Sequence, residues 1–139
     1  MDYATLQDLI DRFGEEELIQ LTDRTNMPQS TIDETVTAQA LSDAFAQIDG
    51  YLVATYPLPL ASVPQRLVKV ASDIARYYLH GKAADDSVRK AYDDAVGWLV
   101  QVSKGIVKLE VANAPAPSSG GVQSSIPASS FDPSVMGDF

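Results

Sequence analysis

The residues able to do chemistry are few and poorly placed for it. His80 is the only histidine in 139 residues, and it stands directly before Gly81. A lone histidine at a helix end is best used as a C-terminal cation, where the peptide dipole favours positive charge. Asp85-Asp86 and Asp93-Asp94 are paired carboxylates, a residue type suited to acid–base work or metal binding. Adjacent residues on a helix do not share a face, however, and Arg89 and Lys90 lie four residues before Asp93 and Asp94. That spacing makes surface ion pairs. No glycine-bearing calcium loop follows either pair, and Gly81-Lys82 lacks the upstream glycines of a phosphate loop. One histidine and no nucleophile elbow leave no Ser–His–Asp arrangement to build. The chain has no cysteine, so disulfides, thiolate catalysis and zinc–sulfur sites are excluded. The expectation is a protein without catalysis, cofactor or metal.

Charge narrows the partners. Nineteen acidic against ten basic residues give a formal charge of −9, unsuited to neutralising nucleic-acid phosphates or docking on anionic membranes. No apolar run approaches the ~20 residues needed to span a bilayer. Met1-Asp2-Tyr3 lacks the basic start of a secretory signal. A soluble protein, intracellular at synthesis, is therefore expected. The charge is also uneven: residues 1–49 hold eleven acids and two bases, whereas residues 50–110 hold six acids and eight bases. Such asymmetry allows copies to associate head to side, though it is equally what a solvated helical surface carries by chance.

The elements that must position these residues are helical. Thr5-Leu6-Gln7-Asp8 reads as a capping box, Leu6, Leu9, Ile10 and Phe13 follow at helical spacing, and Gly14 stops the helix. A second helix runs from Glu15 to Thr22, with Leu18, Ile19 and Leu21 inward, and Asp23–Thr31 is loop. A long third helix starts near Ile32, buries Val36, Leu41, Ala44, Phe45, Ile48, Leu52 and Tyr56, and ends at Thr55 or Tyr56 before Pro57. Tyr56-Pro57-Leu58-Pro59-Leu60 is then a stiff, extended connector. Pro64 opens a fourth helix with Leu67, Val70, Ala71, Ile74, Tyr77 and Tyr78 inward, closed by His80-Gly81. Ser87 caps a fifth, bearing Val88, Tyr92, Val96, Leu99 and Val102, that ends at Lys104-Gly105. Trp98, behind Gly97, reads as a core or interface aromatic at a close helix approach. Ile106–Val111 is a short strand or an extended exit. The fold class expected is all-α: a small bundle of about five helices, two long antiparallel ones plus shorter ones, over residues 1–111.

From Ala112 the composition changes. Residues 111–139 include seven Ser, four Pro and three Gly, a mixture that cannot build its own core. Val122, Ile126, Phe131, Val135, Met136 and Phe139 are spaced through it as anchors. Residues 112–139 are read as an extended tail that becomes ordered along a partner or a neighbouring copy.

The order of segments resembles the neck-protein family of Mu-like phages and prophages. The likeness is carried by Tyr3-Ala4-Thr5, Asp8-Leu9, Arg12-Phe13-Gly14, Glu17-Leu18 and Leu21-Thr22-Asp23-Arg24. It continues through Ala40–Ala44, Ile48–Leu52, Tyr56–Leu60, Val63-Pro64, Asp73–Tyr77 and Tyr92–Leu99. It spans residues 3 to about 109, lapses over Thr25–Thr31 and leaves the tail uncovered. This family is similar to the head–tail connector adaptors of long-tailed phages. The resemblance implies a structural virion protein at the head–tail interface, present in host cytoplasm during assembly. It implies a homo-oligomeric, twelve-fold ring under the portal protein that extends the DNA channel. The ring docks a tail-proximal neck or tail terminator protein, and packaged DNA passes through without sequence-specific binding. In related adaptors a C-terminal extension threads into the portal, a role that falls here to the six tail anchors.

Subunit contacts are expected from the long third helix, from Tyr56, Leu58 and Leu60 in the connector, and from Arg66, Lys69, Arg76, Arg89 and Lys90 against the acidic first section. The alternative of a different class is a monomeric helical regulatory module binding a single host or phage protein. A helix-turn-helix reading at Gly81–Asp86 is weaker still: the turn is acidic, and only Arg89 and Lys90 follow it closely.

Overall fold

The computed structural model describes residues 1–111, which form five α-helices: α1 (Leu6–Phe13), α2 (Glu15–Thr22), α3 (Glu34–Leu52), α4 (Gln65–His80) and α5 (Asp86–Ser103). No strand occurs among the described residues, and Ile106–Val111 leaves the body as irregular chain. The domain is all-α, as its periodicity predicts.

Local chemistry sets the helix ends. At α1 the capping box is complete: the Thr5 hydroxyl accepts from the Asp8 amide, and the Asp8 carboxylate accepts from the Thr5 amide at 2.8 Å. Gly14 separates α1 from α2 with φ +92°, a backbone conformation that side chains with a Cβ rarely adopt. A start near Ile32 would put Asp33 inside the first turn of α3; instead Asp33 caps the helix from outside, accepting from the Thr35 and Val36 amides at 3.0 and 3.4 Å. Helix α3 also stops earlier than its pattern predicts, at Leu52. The amides of Thr55 and Tyr56 converge on the Leu52 carbonyl at 3.0 and 2.9 Å, which tightens the last turn before Pro57.

The connector is not extended. Residues 53–59 pass through turns and bends, and the Leu58–Pro59 peptide is cis. Asp85 replaces Ser87 as the cap of α5, because its carboxylate takes both the Val88 amide and the Ser87 hydroxyl. A Schellman motif closes α5. Gly105, at φ +79°, donates to the Val102 carbonyl and Ile106 to that of Gln101, each at 3.0 Å.

Helix α4 is the centre of the molecule. Every residue from Val70 to Ala75 is buried, because α4 packs against α3 and α5 and also meets α1 and α2. Arg66, early in α4, lies over Trp98 late in α5, while Tyr77 at the end of α4 stacks on Tyr92 near the start of α5. The two helices are therefore antiparallel. The core is completed by Leu9 and Leu18 from the short helices, Ala44, Ile48 and Leu52 from α3, and Leu99 and Val102 from α5.

Candidate interaction surfaces

Three local assemblies shape the surface. The first is the loop between α2 and α3, organised by one carboxylate. Asp23 is buried and accepts hydrogen bonds from the amides of Thr25, Asn26, Ser30 and Thr31 at 2.9–3.1 Å and from the Asn26 side chain at 2.9 Å. These donors hold its carboxyl far below the usual carboxylate range, the Ser30 amide contributing most. The Thr22 hydroxyl, which donates to the Leu18 carbonyl, accepts from the Asp33 amide and so ties the end of α2 to the start of α3. Met27, at the tip of this fastened loop, is 97% exposed.

The second joins α1, α2 and α4. Arg76 makes a two-point ion pair with Glu17, Nε to Oε2 at 2.8 Å and Nη2 to Oε1 at 2.9 Å, and its guanidinium lies 4.4 Å from the Phe13 ring centroid. His80 Nε2 approaches the same carboxylate at 3.4 Å. Burial pushes the Glu17 carboxyl up, but the Arg76 bonds, with help from His80, outweigh it and hold the group below its ordinary value. His80 thus stands in the last turn of α4, as expected, and faces an acidic side chain there.

The third is a tyrosine cluster. Tyr77 stacks on Tyr92 with centroids 4.1 Å apart; Tyr78 donates to Gln47 Oε1, and Gln47 Nε2 donates to the Tyr92 hydroxyl at 3.2 Å. Burial, with Tyr92 next, pushes the Tyr78 hydroxyl up to about 12. Beside it Tyr77, Tyr78, Gly81, Lys82 and Arg89 line an open cleft of about 450 Å³. A smaller groove of about 300 Å³ lies at the other end of α4 and α5, among Pro64, Arg66, Trp98 and Leu109. The chain exits there, with the Leu109 amide donating to the Tyr56 hydroxyl at 2.9 Å.

Against this surface the residues expected at subunit contacts divide. Leu60 is a core residue, 8% exposed, and Arg76 is committed to Glu17 and Phe13, so neither presents a free side chain. Tyr56 and Leu58 are half-buried against the core. Lys69 and Lys90 are outward but paired with Asp73 and Asp94, at 2.7 and 2.9 Å. Arg66 and Arg89 are exposed. Gly97 does not mediate a close helix approach: a Cβ placed there would meet open space. Val122, Ile126, Phe131, Val135, Met136 and Phe139 lie outside the described residues.

Sequence reasoning placed the loop at Asp23–Thr31 but missed its organisation around the Asp23 carboxylate, and it missed the cleft. The first had a signal in Asp23 followed by the polar run Thr25-Asn26…Ser30-Thr31. The second did not, because tyrosines at helical spacing read as core. Among the described residues no group of three or more metal-ligating side chains occurs, and no helix is long and apolar enough to cross a membrane.

A family model described as Bacteriophage Mu, Gp36 matches residues 3–126. The match runs past the body and takes in Val122 and Ile126, further than the likeness read from motifs, which ended near residue 109. Gene product J of Escherichia phage Mu is 40% identical over 105 residues, covering 76% of this chain and 74% of its own. Mu-like prophage FluMu protein gp36 of Haemophilus influenzae is 35% identical over 112 residues, 80% of this chain and 77% of its own.

Proposed function

Because the chain belongs to the bacteriophage Mu Gp36 family, we propose that it is a structural subunit of the virion neck. It forms a ring under the portal that extends the DNA channel and docks the next neck or tail protein. The ring is twelve-fold, and its members are not enzymes. The observation that carries this reading is the family match over nearly the whole helical body, at 40% identity to a phage gene product.

The physical character of the body is compatible with such a role. A closed surface of helices with a tethered loop and few exposed apolar side chains suits a rigid building block. A net charge of −9 disfavours retention of DNA, so packaged DNA slides past without being gripped. Of the subunit contacts expected, those with free side chains are Arg66 and Arg89, which can meet the acidic first section of a neighbour. The tail beyond residue 111 is assigned to the portal through its apolar anchors.

Co-sedimentation with portal-bearing, DNA-filled heads tests the assignment. Full-length protein should saturate at a number of copies per head equal to the portal's own subunit number. No association, with the protein staying monomeric, would replace the ring subunit by a regulatory module that binds a single partner.

A further inference from the structure

The cleft at the end of α4 is a part of the described surface from which the ring reading draws only Arg89, and its chemistry is specific. Its floor is aromatic, from Tyr77 and Tyr78, and its rim carries Lys82 and Arg89. Both cations are exposed, and neither makes an ion pair among the described residues. Asp85, three residues beyond Lys82, is already engaged by the Val88 amide and the Ser87 hydroxyl. Such a site suits an aromatic side chain carried next to a carboxylate: the ring packs on tyrosine while the charge meets the two cations.

The chain itself contains that ligand. Residues 111–139 hold only two acids, Asp132 and Asp138, and each adjoins a phenylalanine, Phe131 and Phe139. We propose that Phe131-Asp132 of the C-terminal segment docks in the Tyr77–Tyr78–Lys82–Arg89 cleft of its own chain. The tether permits it. The chain leaves the body beside Trp98 and Arg66, and the cleft lies roughly 15–20 Å away along α4 and α5 at ~1.5 Å per helical residue. The twenty residues between Val111 and Asp132, treated as a Ser/Gly-rich chain, have a root-mean-square reach of about 25 Å. That match of reach to span places the tail near its cleft at an effective concentration on the order of millimolar. Phe131-Asp132 takes the site ahead of Asp138-Phe139 because its tether is shorter. This contact belongs to the free subunit and holds whether or not the chain forms a neck ring.

Zero-length carbodiimide coupling joins a lysine amine to a carboxylate only where the two touch, and it can be applied to the full chain. The ion pairs Lys69–Asp73 and Lys90–Asp94, at 2.7 and 2.9 Å, provide internal reference links. The expected product is a Lys82–Asp132 link within one chain, in yield above that of any link from Asp132 to exposed Lys104 or Lys108, which lie nearer the root of the tail. An equal mixture of isotopically light and heavy protein separates links within a chain from links between copies. Arg89→Glu and Phe131→Ser should each abolish the Lys82 link while the reference links persist. Three results overturn the proposal: a Lys82 link no stronger than the Lys104 link, mixed light–heavy products making up about half of the Lys82 link as random pairing between copies gives, or a link unchanged in Arg89→Glu.

Discussion

At the residue scale, two carboxylates hold parts of the surface in place, and both act only while ionised. Asp23 gathers four backbone amides from its loop, and Glu17 holds Arg76 and meets His80. Both are held below their ordinary pKa in the folded chain. A depressed folded-state pKa gives stability that is fully present above the unfolded value and is lost as pH falls through the folded one. Acid should therefore loosen α2 and its loop, with the effect appearing below about pH 4.5, the ordinary range for a glutamate. Glu17→Gln should remove part of that pH dependence from denaturant-measured stability, and an unchanged acid slope would show that the pair carries none of it. At neutral pH, Glu17→Ala should cost about 1.5–3 kcal/mol, the range for hydrogen bonds to a charged group, in urea unfolding. Asp23→Ala leaves the Ser30 and Thr31 amides without their acceptor. Their hydrogen exchange should speed to that of open chain, while amides in the middle of α4 keep their protection.

At the element scale, what was legible in the sequence follows from how local the cause is. Helices α1 and α2 begin and end where read, since a capping box, a run of three glutamates and a glycine at φ +92° all act within a few residues. Thr5→Ala removes the box and should cost about 1 kcal/mol, whereas Thr5→Ser, which keeps the oxygen, should remain close to the parent in thermal unfolding. The misread ends have competing local partners. Ser87 and Asp85 could each cap α5, and the carboxylate wins by taking the Val88 amide and the Ser87 hydroxyl together. The end of α3 was decided by the Leu52 carbonyl accepting two amides, a choice that residue types alone do not reveal. Burial was harder still. Thr37, Ser72 and Asp73 lie inside because α3 and α4 are covered on more than one face, and a single amphipathic stripe cannot foretell that. Tyr78 packs half-buried against the core as read, but Tyr77 does not join it, and both line a cleft.

At the scale of the whole molecule, the charge asymmetry that motivated a head-to-side assembly survives only in part. Among the cations expected to meet a neighbour, Arg76 is spent within the body and Lys69 and Lys90 have partners on their own helices. The exposed Lys90–Asp94 pair is worth little and can be exchanged, whereas Lys69 is held by the buried Asp73; both weaken any purely electrostatic subunit contact. In the proposed neck role, attachment to a head would then rest more heavily on the apolar anchors of residues 112–139. The body does not need those residues for its core, since Leu9, Leu18, Ile48, Leu67, Ile74 and Leu99 are all fully buried within 1–111. A chain ending at Val111 should keep the helical content and unfolding midpoint of the parent, yet its copies per head should fall to near background. Replacing Phe131, Met136 and Phe139 by Ser in the full-length chain should do the same without shortening it. If both variants still saturate heads like the parent, the tail is not the portal anchor. Attachment would then have to be sought on the described surface, beginning with Met27 on its fastened loop and the exposed Arg66.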